Sequence, residues 1–319
     1  MNQIYTNSKA TDIPKLEGEP RLPLRPAGVG KELGESLVTG RYSKIFVREN
    51  DLEKRNLIEL PSGPLATARE AKIRFRNTVN YLARLKEIGV SLPRMEVALD
   101  LKAETPHVVV ITEKIKAAHN LIQVGTAKPE KKIKLIAGVL KEMVKVIETQ
   151  YGAKPIGYDS GFDNFVSVRD RCYLVDIFPP RLGYELKRDR SLKLIPLESR
   201  LVNYPERDNL TPGKKTALQR CYYTPEGTVE HLVAWSLSSA FAAEKNLTWE
   251  NAKRLPLCME IISHIRSSLH QAEMKSLATH IDKYLESHRG SQELSYRFLR
   301  TPVRLATALT QWRSSCHLF

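Results

Sequence analysis

The chain has no run of about 18 apolar residues of the kind that spans a bilayer. Its first residues, Met1-Asn-Gln-Ile-Tyr-Thr-Asn7, lack the basic-then-apolar order of a secretory leader. Both absences lead to the expectation of a soluble, cytoplasmic protein with no membrane partner. Cysteine is scarce, and Cys172, Cys221, Cys258 and Cys316 show neither C-x-x-C pairing nor zinc spacing with a histidine, which leaves reduced structural thiols. His264, His270, His280 and His288 fall in expected helices without the H-E-x-x-H pattern that puts a metal on one helix face. A phosphate loop of the Walker type is also missing. In Gly28-Val-Gly30-Lys31-Glu32-Leu-Gly34 the lysine is followed by Glu32 rather than Ser or Thr, so the segment reads as a flexible entry to a strand. No internal repeat is visible.

Acidic residues are the minority, with 36 Asp+Glu against 50 Lys+Arg and a formal charge of +14. Such a surface attracts polyanions: nucleotides, phosphorylated metabolites or RNA. The basic residues are dispersed and do not alternate with aromatic ones as in single-stranded nucleic-acid platforms, which ranks nucleic acid below a nucleotide as partner.

The richest stretch is Gly157-Tyr-Asp159-Ser-Gly-Phe-Asp-Asn164, followed by the apolar runs 165–168 and 172–177 around Arg169-Asp-Arg171. Two such runs about a short polar turn read as a β-hairpin. It returns Asp176 to the neighbourhood of Asn164, gathering two oxygen ligands for a metal and one candidate base on a single face. That set suits Mg²⁺ and a nucleotide.

Asp159-x-x-x-x-Asn164, the hairpin and Leu174-Val175-Asp176 together resemble the catalytic and metal-binding segments of the protein-kinase-like superfamily, in its small-molecule branch of aminoglycoside phosphotransferases and choline kinases. The family's histidine before the Asp is replaced here by Gly157-Tyr158, where Tyr158 is the candidate for a substitute hydrogen bond. The resemblance implies an α+β, bilobal kinase-like fold with a small antiparallel-sheet N-lobe and a larger, mostly helical C-lobe. By position it assigns Asp159 to the acceptor hydroxyl as base or orienting group, Asn164 to one Mg²⁺ and Asp176 to the ions bridging the phosphates.

The order of elements fits that resemblance. Residues 1–27, with Pro14, Pro20, Pro23 and Pro26, read as an extended N-terminal arm. Residues 28–116 form the expected N-lobe: strands over 35–47 joined at Gly40-Arg41, a strand over 55–60, a helix over 64–88 with Ile73, Val79, Leu82 and Leu85 on one stripe and Gly89 as its stop, then strands over 94–101 and 107–115. Residues 117–319 form the expected C-lobe, led by a helix over 128–151 whose apolar face is Ile133, Leu135, Ile136, Val139, Leu140, Met143, Val144 and Ile147. A basic connector over 181–193 follows the hairpin, with Arg181 read as solvated, and helices are expected over 235–245, 249–268 and 272–287.

Nucleotide contacts are carried over from the family. Gly40 to Ser43 is the candidate phosphate cover, and the backbone from Glu113 to Lys116, Ile115 included, the candidate adenine contact. The family's third-strand lysine is absent from Asn56-Leu-Ile-Glu59-Leu60. Lys44 or Arg48 with Glu70 as helix partner, or Glu59 with Lys72 or Arg74 in a reversed pair, are the alternatives. The implied function is ATP-dependent (or other NTP-dependent) and Mg²⁺-dependent phosphoryl transfer to a hydroxyl of a small, metabolite-like or antibiotic-like acceptor, neutral or anionic. Alternatives are a catalytically degenerate nucleotide-binding or regulatory protein, an enzyme of altered chemistry such as nucleotidyl transfer, and a basic RNA-binding protein.

Overall fold

The computed structural model describes residues 3–6, 38–39, 43–47, 56–61, 68–100, 107–113, 119–120, 129–160, 164–168, 171–177, 180–186, 192–194, 222–241 and 256–287. It is a mixed helix and sheet protein whose strand pairs are antiparallel. The chain divides into two compact units, Met1–Lys116 with Ile177–Thr216, and Ala117–Asp176 with Ala217–Phe319. Residues 177–216 thus group with the first unit, whereas the sequence reading assigned them to a C-terminal lobe.

The first unit is built on a sheet of six strands, β1 (Gln3–Thr6), β2 (Val38–Thr39), β3 (Ser43–Val47), β4 (Asn56–Pro61), β5 (Met95–Asp100) and β6 (His107–Glu113), in the order β1-β5-β6-β4-β3-β2. At its centre β6 pairs with β5 from Met95↔Thr112 to Asp100↔His107 and with β4 from Asn56↔Glu113 to Glu59↔Val110. Val108, Val109, Val110 and Ile111 are buried in succession. Since neighbouring strand residues point to opposite faces, both faces are covered at this point. The sixth strand was not expected. Gln3–Thr6 pairs with β5 from Gln3↔Leu99 to Thr6↔Glu96. The arm's prolines begin only at Pro14, so nothing removes a ladder donor from Ile4, Tyr5 and Thr6, all strand-favouring types.

Helix α1 (Ala68–Glu87) packs on β5 and β6. Its buried residues are Ala71, Arg74, Thr78, Tyr81, Leu82 and Leu85, while Ile73 and Val79 are half-buried. The inward face is therefore turned from the expected stripe toward Arg74 and Thr78. Small Ala71 and Thr78 let the helix approach the sheet, and the Thr78 hydroxyl satisfies itself by donating to the Arg74 carbonyl at 2.9 Å. The helix stops at Gly89, as expected. Gly89 has φ of +77°, its N–H donates to Lys86 O at 3.0 Å, and Val90 N–H donates to Leu85 O at 2.9 Å. That double bond pattern needs a left-handed residue, where a Cβ costs about 1–2 kcal/mol. Residues 177–216 carry a further hairpin, β10 (Tyr184–Leu186) with β11 (Leu192–Leu194), inside the segment read as a plain connector.

The second unit is organised by α2 (Pro129–Gln150). Leu135, Ile136, Val139, Leu140, Met143, Val146 and Ile147 are buried, each worth about 1.5–3 kcal/mol of transfer free energy when fully covered. Ile133 and Val144 of the expected face are half-buried, and Val146 takes an inward place instead. A three-stranded sheet, β7 (His119–Asn120), β8 (Phe165–Val168) and β9 (Arg171–Leu174), lies against this helix. The approach is close at Gly138, where an added Cβ would stand 3.0 Å from Cys172 Cβ. Cys172 is a free, buried thiol. Burial, with the nearby Glu142 carboxylate second, pushes its pKa up to about 12, so it stays protonated and inert. Glu142 is itself buried and held by Lys145 Nζ at 2.8 Å.

Among the described residues the unit also holds the helices α3 (Pro225–Phe241), α4 (Pro256–Gln271) and α5 (Lys275–Ser287). They bury Val229, Leu232 and Val233, then Ile261, Ile262, Ile265 and Leu269, then Leu277, Ala278, Ile281 and Leu285. The first begins well ahead of its expected start at 235. Thr224 caps it, since the Gly227 N–H donates to the Thr224 hydroxyl at 3.1 Å and the Thr228 N–H to the Thr224 carbonyl at 2.9 Å. Pro225 fills the first helical position, where its missing N–H costs nothing. Between α4 and α5 the chain turns at Glu273, with φ of 59°. No described helix is long and apolar enough to cross a membrane.

Candidate active site

Gln150, the last residue of α2, fixes the loop that carries Asp159. Its side-chain nitrogen lies 3.2 Å from Ile156 O, 3.1 Å from Tyr222 O and 3.1 Å from the Thr228 hydroxyl, while its oxygen lies 3.2 Å from that same hydroxyl. An amide has two N–H donors. All four groups are satisfied when the nitrogen donates to the two carbonyls and the oxygen accepts from Thr228. One buried amide thus ties the end of α2 to the residues 156–160 loop and to the start of α3. The Thr149 hydroxyl adds to it, donating to Val146 O at 2.7 Å and accepting the Ile156 N–H at 3.3 Å.

The loop then alternates. Tyr158 is fully buried, donates its N–H to Tyr222 O at 2.9 Å and sets its ring 5.8 Å from the ring of Phe165 at a 59° tilt. Asp159 follows with its side chain 22% exposed, and Ser160 is again fully buried. A carboxylate between two anchored residues stays reachable yet has little freedom to wander.

Asn164, just before β8, links this loop to the hairpin. Its side-chain N–H donates to the Asp159 carbonyl at 3.3 Å, and its own carbonyl accepts from Val175 N–H at 2.9 Å and Asp176 N–H at 3.4 Å. The Val175 bond continues the register of the β8–β9 pair, in which Phe165 faces Leu174, by one more residue. Asp159, Asn164 and Asp176 are therefore neighbours, joined through one buried amide residue. Asp176 is half-buried.

A histidine enters from elsewhere. His231, two turns into α3, places Nδ1 at 3.0 Å from Ser160 Oγ and 3.9 Å from Asp159 Oδ1. Tyr222 sets its ring edge-on to the imidazole at 5.6 Å and 87°. Neither His231 nor Gln150 is picked out by the sequence reading, since each acts across more than 70 residues. The one local signal was the Thr224-Pro225 helix start, which puts His231 on a helix immediately after the Tyr222 carbonyl.

The remaining expected site residues lie in the first unit. Ser43 and Lys44 are the first two residues of β3, Glu70 is in the first turn of α1, and Glu113 is the exposed last residue of β6. The Glu113 N–H is already donated to Arg94 O at 2.9 Å. Gly40, Arg48 and Ile115 lie outside the described residues. Of the two helix cations in the reversed pair, Lys72 is exposed and Arg74 is buried. Arg181, expected in solvent, is 7% exposed. The described residues hold no group of three His, Cys, Asp or Glu arranged to take a metal.

Residues 66–254 match the model of a family described as "Family of unknown function (DUF6206)". No curated protein matches the chain. Among solved structures, one described as WaaP in complex with acyl carrier protein is 13% identical, with a TM-score of 0.36 over 85% of this chain and 88% of that one. A glucosamine kinase in complex with glucosamine, ADP and inorganic phosphate is 9% identical, with a TM-score of 0.32 over 88% of this chain and 76% of that one. Likenesses this faint say nothing about activity.

Proposed function

The chain belongs to DUF6206, a family of unknown function, and we propose that it is a phosphotransferase that moves the terminal phosphoryl group of ATP, or of another nucleoside triphosphate, to a hydroxyl of a small molecule. The observation that carries this reading is the linkage of Asp159, Asn164 and Asp176 through the Asn164 side chain and carbonyl. Phosphoryl transfer needs placement and charge neutralisation more than covalent help; this cluster offers placement and oxygen ligands for a cation that would neutralise the phosphates.

Asp159 has an exposed edge, and it takes the role of accepting or orienting the proton of the incoming hydroxyl. Ser160 is excluded as a nucleophile by its complete burial. For Mg²⁺ the donor set fits. The Asn164 nitrogen is committed to the Asp159 carbonyl, which leaves Oδ1 as the amide atom for a cation, and the Asp176 carboxylate is the second hard oxygen ligand. Mg²⁺ keeps several waters and shares phosphate oxygens, so one carboxylate and one amide suffice. When bound, the ion supplies neutralisation of phosphate charge. The bilobal kinase-like architecture and the cytoplasmic setting are part of the same proposal, as are nucleotide contacts by Ser43, Lys44, Glu70 and Glu113.

A second reading, a nucleotide-binding protein without turnover, is favoured by one specific feature: Gly157-Tyr158 stands where the resembling pattern has histidine. A single experiment separates the two. ADP formation from Mg-ATP is followed alone and with a panel of sugars, amino sugars and amino alcohols. The phosphotransferase gives stimulation of about tenfold or more by at least one hydroxyl compound; tight Mg-ATP binding with no ADP under any condition selects the second reading.

A further inference from the structure

We propose that His231 is a positioning residue for Asp159, acting through Ser160, an assignment that rests on the phosphotransferase reading above. The geometry has three parts. First, the beginning of α3 is fastened to the loop: Tyr222 O accepts from both Tyr158 N–H at 2.9 Å and Gln150 Nε2 at 3.1 Å, and the Thr228 hydroxyl donates to Gln150 Oε1 at 3.2 Å. His231 lies one turn beyond Thr228, so the ring stands on a helix whose first turns are anchored to the loop it faces.

Second, the ring itself is set. The edge of Tyr222 meets it at 87°, and its side chain is 19% exposed. Third, one nitrogen faces two consecutive loop residues. At 3.0 Å, Nδ1 makes a full hydrogen bond to Ser160 Oγ; at 3.9 Å from Asp159 Oδ1 it is beyond hydrogen-bond reach and acts there only through its field. Ser160 is completely buried, so its hydroxyl depends on this partner, and anchoring Ser160 fixes the peptide from which the Asp159 side chain springs.

Glu230, its neighbour on α3, is turned to His280 of α5 at 2.7 Å, while Asp159 stands 3.9 Å from the ring nitrogen. The imidazole touches no reacting atom. Its work is to hold the base in one orientation.

The test uses full-length protein and Mg-ATP, with water as acceptor and ADP as the product read. His231→Ala is expected to lower kcat about 10- to 100-fold with KM for Mg-ATP within about twofold, the signature of an interaction used after binding. His231→Asn, which keeps a donor near the Nδ1 position, is expected to recover a substantial part of that loss. A readout free of turnover accompanies it: the imidazole ¹⁵N shifts of His231, which report the state of Nδ1, are expected to move in Ser160→Ala. Wild-type kcat in both His231 variants, with Asp159→Asn inactive, overturns this assignment and leaves the phosphotransferase reading standing. An active Asp159→Asn overturns that reading and this one with it.

Discussion

Asp159→Asn is expected to lower ADP formation from Mg-ATP by about 10²–10⁴-fold while leaving Mg-ATP affinity within about threefold. The substitution keeps the volume and removes the charge and the proton-accepting oxygen. It leaves intact the backbone bond on which the cluster depends, because Asn164 reaches the Asp159 carbonyl rather than its carboxylate. Loss of turnover therefore reports chemistry, not collapse of the loop. Steady-state kinetics with calorimetric binding checks the split, and unchanged turnover removes Asp159 from the chemistry.

Gln150→Ala is expected to cost about 3 kcal/mol of stability. The Ile156 carbonyl and the Thr228 hydroxyl each lose a buried partner, worth about 1–3 kcal/mol apiece, while Tyr222 O keeps its bond from the Tyr158 N–H. For a protein of this size the melting midpoint falls by roughly 5 °C. Gln150→Glu is expected to do at least as much harm, since a buried carboxylate cannot donate to the two carbonyls that the amide nitrogen serves. Turnover falls alongside stability, because the same amide joins α2, the Asp159 loop and α3. Thermal melts of both variants test this, and a change below about 1 kcal/mol would mean that water or relaxation satisfies the carbonyls.

Local pattern made much of the scaffold legible. The helical period of 128–151 gives α2 almost to the residue, and Gly89 ends α1 through a bond pattern that a left-handed glycine serves best. The two apolar runs about Arg169-Asp-Arg171 give the β8–β9 hairpin, and with it the approach of Asp176 to Asn164. Other features depended on physics that no window reveals. The inward face of α1 includes Ala71, Arg74 and Thr78, small or polar residues that a period of apolar ones does not rank. Thr224-Pro225-Glu226 spells a capped helix start that lies ten residues ahead of the apolar stretch expected to be helical from 235. Arg181 sits in a basic segment that reads as solvated, and only tertiary structure buries it.

The site divides along the same line. Asp159, Asn164 and Asp176 lie within 18 positions of one another and a hairpin suffices to gather them. Gln150 and His231 gain their roles from partners on another element, a pairing that spacing cannot encode. A search for histidines at fixed local intervals passes over His231 for that reason.

The most direct measurement is a calorimetric titration of ATP into the wild-type protein with Mg²⁺ and with EDTA, repeated with Asp176→Asn. Expected is binding that weakens about tenfold or more when Mg²⁺ is withdrawn, with the variant losing most of that dependence. Equal ATP affinity in all conditions, or no binding to the wild type with Mg²⁺, contradicts a metal-assisted phosphotransferase built on Asp159, Asn164 and Asp176.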